Sequence, residues 1–234
     1  MSSKKYMLNE RIPILVYKKR GNKYLRMSIK PDGTVRITIP TWLPYSAGMK
    51  YAHTKQDWIT KNHRPLKTFN DGDCIGKDHI IKISEVDNNS CCRISIKENY
   101  IVVKLGKNHK ITDDYVQKKI HTSCIKALRT QAEKYLPQRL NSYASKNKIS
   151  TNSISIKNLR GRWGSCDINK NIVLNLHLMH LPWELIDYVI HHELTHIKIM
   201  KHGPDFWSEM QNIWPDVNRH KKDIKNYQPN FTNY

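Results

Sequence analysis

The sequence predicts an α+β protein in which a β-rich half, residues 1–110, precedes a half dominated by helices, residues 111–234. Strand-like alternation of apolar and polar residues early in the chain is one reason. Two later stretches whose apolar residues recur at helical spacing are the other. The 234 residues suffice for one large domain or two modest ones with a buried core.

The first half contains the pattern of a β-hairpin. Leu25, Met27 and Ile29 alternate with polar residues, the turn Pro31-Asp32-Gly33 follows, and the alternation resumes at Val35. We expect one helix and three further strands in this half, near residues 47–62, 80–84, 93–97 and 100–105.

The second half opens with a long predicted helix. Thr112 can cap it, and Asp113 and Asp114 suit its positive end. Pro137 should kink or divide this helix, because proline cannot donate the backbone hydrogen bond. Its expected buried stripe consists of Val116, Ile120, Cys124, Leu128, Ala132 and Tyr135.

A second predicted hairpin runs from Arg162 to Leu176, with turn residues at 167–171. Its edge could hold an extended peptide by main-chain hydrogen bonds, and packing in the interior is the equally weighted alternative. His177 and His180 follow, and we interpret them as surface residues. The polar tail from Lys221 onward is expected to be loosely ordered.

Residues 192–196 read His-Glu-Leu-Thr-His. Positions four apart lie on one face of a helix, so His192 and His196 can bind one metal ion while Glu193 reaches a water coordinated to it. An amphipathic helix is indicated by the apolar stripe of Ile186, Val189, Ile190, Leu194 and Ile197.

A third histidine, His202, can join the other two only if the chain turns after His196, since an unbroken helix would carry it about 15 Å away. Gly203 and Pro204 provide that turn and the start of a closing helix. The apolar face of the closing helix consists of Phe206, Trp207, Met210 and Ile213.

These segments together resemble a known family. They comprise Arg162-Trp163-Gly164-Ser165-Cys166, Ile172 to Leu176, Pro182 with Ile186-Asp187-Tyr188-Val189, the motif at 192–196, and His202-Gly203-Pro204 with Phe206-Trp207. The series resembles the YgjP-type family of predicted zinc metallopeptidases, distant relatives of the SprT-like and Wss-like proteases. The resemblance implies a zincin-like second half that hydrolyses peptide bonds. His191 departs from it, because the family usually has an aliphatic residue there.

The residues themselves support the same chemistry. Zn²⁺ held by His192, His196 and His202 would keep a fourth position for water and lower the pKa of that water to about 7. Glu193 would act as general base and then as general acid. Candidate substrate contacts are Arg162, Trp163, Gly164, Ser165 and Tyr188, of which Arg162 and Tyr188 could assist at the oxyanion.

Two alternatives stay open. Cys166 could be a zinc ligand, as the upstream cysteine is in peptide deformylases, which would make the protein a deformylase-like amide hydrolase. The protein could instead be a basic nucleic-acid-associated or scaffold protein whose histidines hold a structural ion, which requires a fourth protein ligand.

Composition adds bounds on partners and compartment. The net charge of +20 would attract nucleic acid without sequence preference, although codon bias in an AT-rich genome also explains the abundance of Lys. Five cysteines, with Cys91 and Cys92 adjacent, suggest no disulfide framework and favour a reducing, cytoplasmic setting. Neither a membrane span nor a secretory signal is expected.

Overall fold

The structure is a computed structural model that describes residues 3–30, 33–63, 68–87, 89, 92–159 and 161–229. Contacts between Cα atoms divide the chain into two units, Met1–Lys67 and Thr68–Tyr234. This division lies closer to the N-terminus than the boundary near residue 110 that the sequence suggested. The strands between residues 68 and 110 share a hydrophobic core with the long helix that follows them.

The first unit is a four-stranded sheet with two helices. Its strands are β1 (Ser3–Leu8), β2 (Ile12–Lys19), β3 (Arg26–Ile29) and β4 (Val35–Pro40), in the spatial order β1-β2-β4-β3, and its helices are α1 (Tyr45–Thr54) and α2 (Gln56–Asn62). Strands β2 and β4 are parallel, and the outer pairs are antiparallel. Helix α1 lies directly on β2, because a Cβ atom at Gly48 would lie 2.5 Å from Val16 Cγ1.

The predicted first hairpin is confirmed as β3 and β4, paired from Ile29 opposite Val35. Pro31 and Asp32 of its turn lie outside the described residues. The single helix expected over 47–62 is two helices, since the backbone leaves the helical conformation at Lys55.

The second unit begins with a sheet of β5 (Cys74–Ile75), β6 (His79–Val86), β7 (Cys92–Lys97) and β8 (Tyr100–Gly106), in the order β5-β6-β8-β7. The three longer strands match the predicted ones. Apolar residues on one face of this sheet, including Ile81, Ile101 and Val103, are buried. They share the core with the next element, helix α3 (Asp114–Lys146).

Helix α3 differs from its prediction in two respects. Its N-cap residue is Asp113 rather than Thr112, and the Asp113 carboxylate accepts a hydrogen bond from the backbone N–H of Lys110. Pro137 does not divide the helix, which runs through it for 33 residues. Leu136 and Leu140 beside it are fully buried, and burying two leucines offsets the roughly 3 kcal/mol that proline costs inside a helix.

The remaining elements surround the region of the histidine motif. A three-stranded sheet contains β9 (Ser153–Lys157), β10 (Gly164–Cys166) and β11 (Asn171–Asn175), in the order β10-β11-β9. Strands β10 and β11 form the predicted second hairpin, and β9 is parallel to β11. Three helices follow, namely α4 (Trp183–Thr195), α5 (Pro204–Ile213) and α6 (Val217–Asp223).

Two expectations about this region are wrong. His177 is not a surface residue but is buried at 3% exposure, because the 3₁₀ turn Leu176–His180 inserts into the core between β11 and α4. The described part of the tail from Lys221 continues α6 and forms a 3₁₀ turn to Asn226, packed through Ile224 and Tyr227 against the core, while residues 230–234 lie outside the described residues. Within the described residues, no helix has the length and apolar character needed to cross a membrane.

Candidate metal centre

Helix α4 carries the histidine motif and is anchored from two sides. Its apolar stripe is buried, as at Ile186, Ile190 and Leu194. On another side, Arg139 of α3 holds Asp187 through two charge-assisted hydrogen bonds, one of them 2.7 Å long between Nη2 and Oδ2. Since bidentate pairs of this kind fix orientation as well as distance, α4 is held against rotation.

The structure brings the three predicted histidines together. His192 Nε2 lies 3.2 Å from His196 Nε2 and 2.9 Å from His202 Nε2. His192 is on α4, and His196 is the residue that ends it. His202 reaches them because the chain turns before α5, with Gly203 as the N-cap and Pro204 at the first helical position.

This cluster fits a metal ion. Ligand atoms of the three histidines all lie within 4.8 Å of one another. In the described part of the chain, these histidines form the one group of three or more His, Cys, Asp or Glu residues that could hold a metal ion. Nitrogens that bind Zn²⁺ at about 2.0–2.1 Å in tetrahedral geometry are about 3.3 Å apart, close to the two spacings above. Burial lowers the pKa of His192 to about 3 and also lowers that of His196. Both rings are therefore neutral at pH 7 and keep a lone pair for a metal.

Neighbouring groups set the orientation of these rings. His196 Nδ1 lies 3.2 Å from the carbonyl oxygen of Ile199, which suits a proton on Nδ1 and leaves Nε2 for the metal. The fully buried ring of Phe206 lies beneath all three histidines, with centroid distances of 5.0, 4.7 and 4.8 Å to His192, His196 and His202. Helix α5 therefore supports the three imidazole rings through Phe206.

Glu193 directly follows His192 on α4 and is itself buried. Burial raises the pKa of its carboxyl to about 8, and the positive charge of Arg162 opposes that shift. Strand β10 passes so close that a Cβ atom at Gly164 would lie 2.6 Å from Glu193 Oε1. The Glu193 carboxylate can occupy this position because Gly164 has no side chain.

Of the other candidate contacts, Arg162, Trp163 and Ser165 lie on or beside β10, and Tyr188 is on α4. This strand is at the edge of its sheet, with Ser165 opposite Val173. Arg162 is exposed, and Trp163 is half-buried. Tyr188 is buried with its ring centroid 6.2 Å from that of His192, and burial raises its pKa to about 12.

Cys166 is not in the three-histidine group of the described residues. Its Sγ atom lies 3.5 Å from the backbone oxygen of Asp167, to which it can donate. Burial and the charges of Glu193 and Asp167 raise the pKa of the thiol to about 11. This environment favours the neutral thiol over the thiolate that binds zinc, so the deformylase-like scheme receives no support.

Sequence reasoning missed several residues that shape the site. Asn175 donates from Nδ2 to the carbonyls of Leu159 and Arg162, which fixes the segment leading into β10. His191, the departure from the family pattern, lies between the rings of Tyr143 and Trp214 at 4.4 and 4.9 Å. One signal in the sequence indicated the close approach between β10 and Glu193, namely Gly164 in the Arg-Trp-Gly-Ser-Cys segment, because a glycine inside a strand often marks such an approach.

The three-histidine cluster is an arrangement of the kind that a metallopeptidase requires. The sequence model of the YgjP-like metallopeptidase domain matches residues 23–227, and the chain belongs to this YgjP-like family. No curated protein matches the chain.

Solved structures give partial matches. The metallopeptidase zymogen jannalysin of Methanocaldococcus jannaschii is 26% identical over 38% of this chain and 93% of its own, with a TM-score of 0.35. The metallopeptidase zymogen abylysin of Pyrococcus abyssi is 20% identical over 41% of this chain and 97% of its own, with a TM-score of 0.36.

Proposed function

We propose that this chain is a zinc-dependent peptidase in which His192, His196 and His202 hold the metal and Glu193 is the general base. The observation that carries the proposal is the convergence of three imidazole Nε2 atoms, with the buried carboxylate of Glu193 one residue after His192 on the same helix. The zincin-like character of the second unit is part of the same proposal.

Zinc held by His192, His196 and His202 would supply a Lewis acid that activates water and polarises the scissile carbonyl. Three protein ligands would leave a coordination position open for chemistry. Because no fourth ligand joins the cluster among the described residues, a catalytic site is favoured over a closed structural one.

Glu193 carries the proton transfers. Its carboxylate takes a proton from the attacking water at Oε and delivers it to the nitrogen of the leaving amine. Burial raises the pKa of Glu193 to about 8, which makes it a stronger base than an exposed glutamate. A bound divalent cation would favour the ionised carboxylate and lower that pKa again, which is the direction that a general base at neutral pH requires.

Strand β10 provides a place for the substrate. As an edge strand it offers backbone groups to an extended peptide, and Gly164 places it in contact with Glu193. Arg162 and Tyr188 are the proposed contacts to the developing oxyanion. Hydrogen bonds to the peptide main chain depend little on the side chains of the substrate, so we expect broad specificity toward unfolded polypeptides.

We also propose a reducing, cytoplasmic setting. Among the described cysteines, Cys74, Cys92 and Cys166 are free thiols, while Cys91 lies outside the described residues.

The test compares Glu193→Gln with Glu184→Gln, a change at an exposed position of the same helix. Zinc content and cleavage of a quenched peptide library are measured for both. We expect Glu193→Gln to keep stoichiometric zinc and lose about a hundredfold or more of its activity, since a general base contributes about 10²–10⁴-fold. Glu184→Gln should match the unmodified protein. Full activity of a zinc-loaded Glu193→Gln protein would overturn the proposal.

A further inference from the structure

The first unit is far more basic than the rest of the chain. Residues 1–67 contain fifteen Lys and Arg but three Asp and Glu, so they carry +12 of the net charge of +20. Codon bias acts on the whole chain, and it does not account for this concentration in one unit. The described carboxylates of the unit are Glu10, in the β1–β2 turn, and Asp57, on α2.

Strand pairing gathers much of this charge at one end of the sheet. The start of β1 lies beside the end of β2, with Ser3 opposite Tyr17. The end of β2 lies beside the end of β4, with Lys19 opposite Pro40. The start of β3 lies beside the same part of β4, with Arg26 opposite Thr38. This basic end therefore combines seven cationic residues, Lys4, Lys5, Lys18, Lys19, Arg20, Lys23 and Arg26.

No carboxylate residue occurs in the described segments that form the basic end, residues 3–6, 16–27 and 38–46. Lys18 is half-buried and is fixed by donating from Nζ to the carbonyl of Thr41 at 3.0 Å. The other six cations are exposed. A dense set of cations without acidic partners is suited to a polyanion.

Two aromatic side chains project from the same end. Tyr24, in the loop between β2 and β3, is 71% exposed, and Trp42, in the loop between β4 and α1, is 67% exposed. The first loop has a defined conformation, since Asn22 Nδ2 donates to the carbonyl of Tyr24 at 2.6 Å. Each exposed ring offers a flat apolar face on which an unpaired base can stack.

We propose that the first unit binds single-stranded nucleic acid at this basic end. The exposed Lys and Arg side chains contact phosphates, while Tyr24 and Trp42 stack on unpaired bases. The combination distinguishes a single strand from a duplex, whose bases are already stacked and whose backbone needs cations alone. The inference concerns the first unit and does not rest on the proposed peptidase activity.

The first experiment measures binding of the full chain to a fluorescein-labelled DNA strand of about 20 nucleotides, long enough for site sizes of about 4–16 nucleotides. Fluorescence anisotropy is recorded from about 50 to 200 mM salt. The triple variant Lys19→Gln/Arg20→Gln/Arg26→Gln should lower the slope of log affinity against log salt by about 2, because each lost phosphate contact removes about 0.7.

The matched control removes the same charge from the helices of the same unit. Lys50, Lys55 and Lys61 are exposed on or between α1 and α2, and their triple change to Gln should leave the slope near that of the unmodified chain. An equal loss of affinity in both triple variants, or no binding by the unmodified chain at low salt, would overturn the proposal.

A second experiment tests the stacking. Tyr24→Ala and Trp42→Ala should each weaken single-strand binding by about tenfold, the order found for base–aromatic stacking, and should leave duplex binding unchanged. Circular dichroism melting confirms that each variant is folded. Duplex affinity equal to single-strand affinity, or binding to anionic phosphatidylserine vesicles without binding to the oligonucleotide, would also overturn it.

Discussion

The contact between Gly164 and Glu193 leads to the sharpest prediction. Replacing Gly164 by alanine adds a Cβ atom that would lie 2.6 Å from Glu193 Oε1, 2.8 Å from Cγ and 2.9 Å from Cδ. Gly164 does not have a positive φ angle, so alanine imposes no backbone strain. The effect of the change is therefore steric and falls on the carboxylate.

The magnitude follows from the distance. To restore an ordinary contact at 3.4 Å, Oε1 would have to retreat by roughly 0.8 Å. Misplacing a catalytic group by about 1 Å lowers a rate by about a hundredfold, which corresponds to about 2.7 kcal/mol of lost transition-state stabilisation. Overpacking at this site should also lower the free energy of unfolding by about 1–3 kcal/mol.

The assay is steady-state cleavage of a quenched peptide by zinc-loaded protein, with zinc content measured in parallel. We expect Gly164→Ala to lower kcat by about a hundredfold while the zinc content is unchanged. Glu184→Gln is the control, because Glu184 is exposed on α4, and its kcat should stay within about threefold of the unmodified value. A Gly164→Ala protein with unchanged kcat would refute the assigned position of Glu193.

Three further predictions concern stability and metal affinity. Arg139→Ala removes the cationic partner of the buried Asp187 carboxylate and should lower the free energy of unfolding in urea by about 2–3 kcal/mol. Additivity with Asp187→Ala in a double-mutant cycle would argue against the pairing. Burial lowers the pKa of His177 to about 4, so the unfolded chain binds its proton first, and stability should fall by up to about 3 kcal/mol as pH drops from 6.5 to 4. His177→Leu should remove that part of the acid sensitivity in urea titrations, and an identical pH profile would contradict it. Phe206→Ala removes the ring that packs against all three histidines. The change should lower the melting temperature, and it should lower the affinity for zinc, measured in competition with a chelator, by tenfold or more. An unchanged zinc affinity would assign Phe206 to the core alone.

Local patterns in the sequence predicted much of the second unit. The spacing at 192–196 and the Gly203-Pro204 break indicated a helix, a turn and a third imidazole returning to the first two, and the structure places the side chains accordingly. These features follow from helix periodicity and from the conformations of glycine and proline. Both are local properties that can be recognised in the sequence itself.

What the sequence did not indicate depends on contacts between distant segments. The pair formed by Arg139 and Asp187 spans 48 positions, and no local pattern marks it. Pro137 was expected to interrupt α3, yet the buried leucines on either side keep the helix continuous. His177 was assigned to the surface because a spare surface histidine is commoner than a second metal site, whereas tertiary packing buries it.

The central claim is that three imidazole nitrogens hold one zinc ion. X-ray absorption at the zinc edge, on protein loaded with one equivalent, tests it most directly. We predict three nitrogen neighbours at about 2.0–2.1 Å with one oxygen and no sulfur, and loss of tight binding in His202→Ala. A sulfur neighbour at about 2.3 Å, or a zinc environment in His202→Ala identical to that of the unmodified protein, would contradict it.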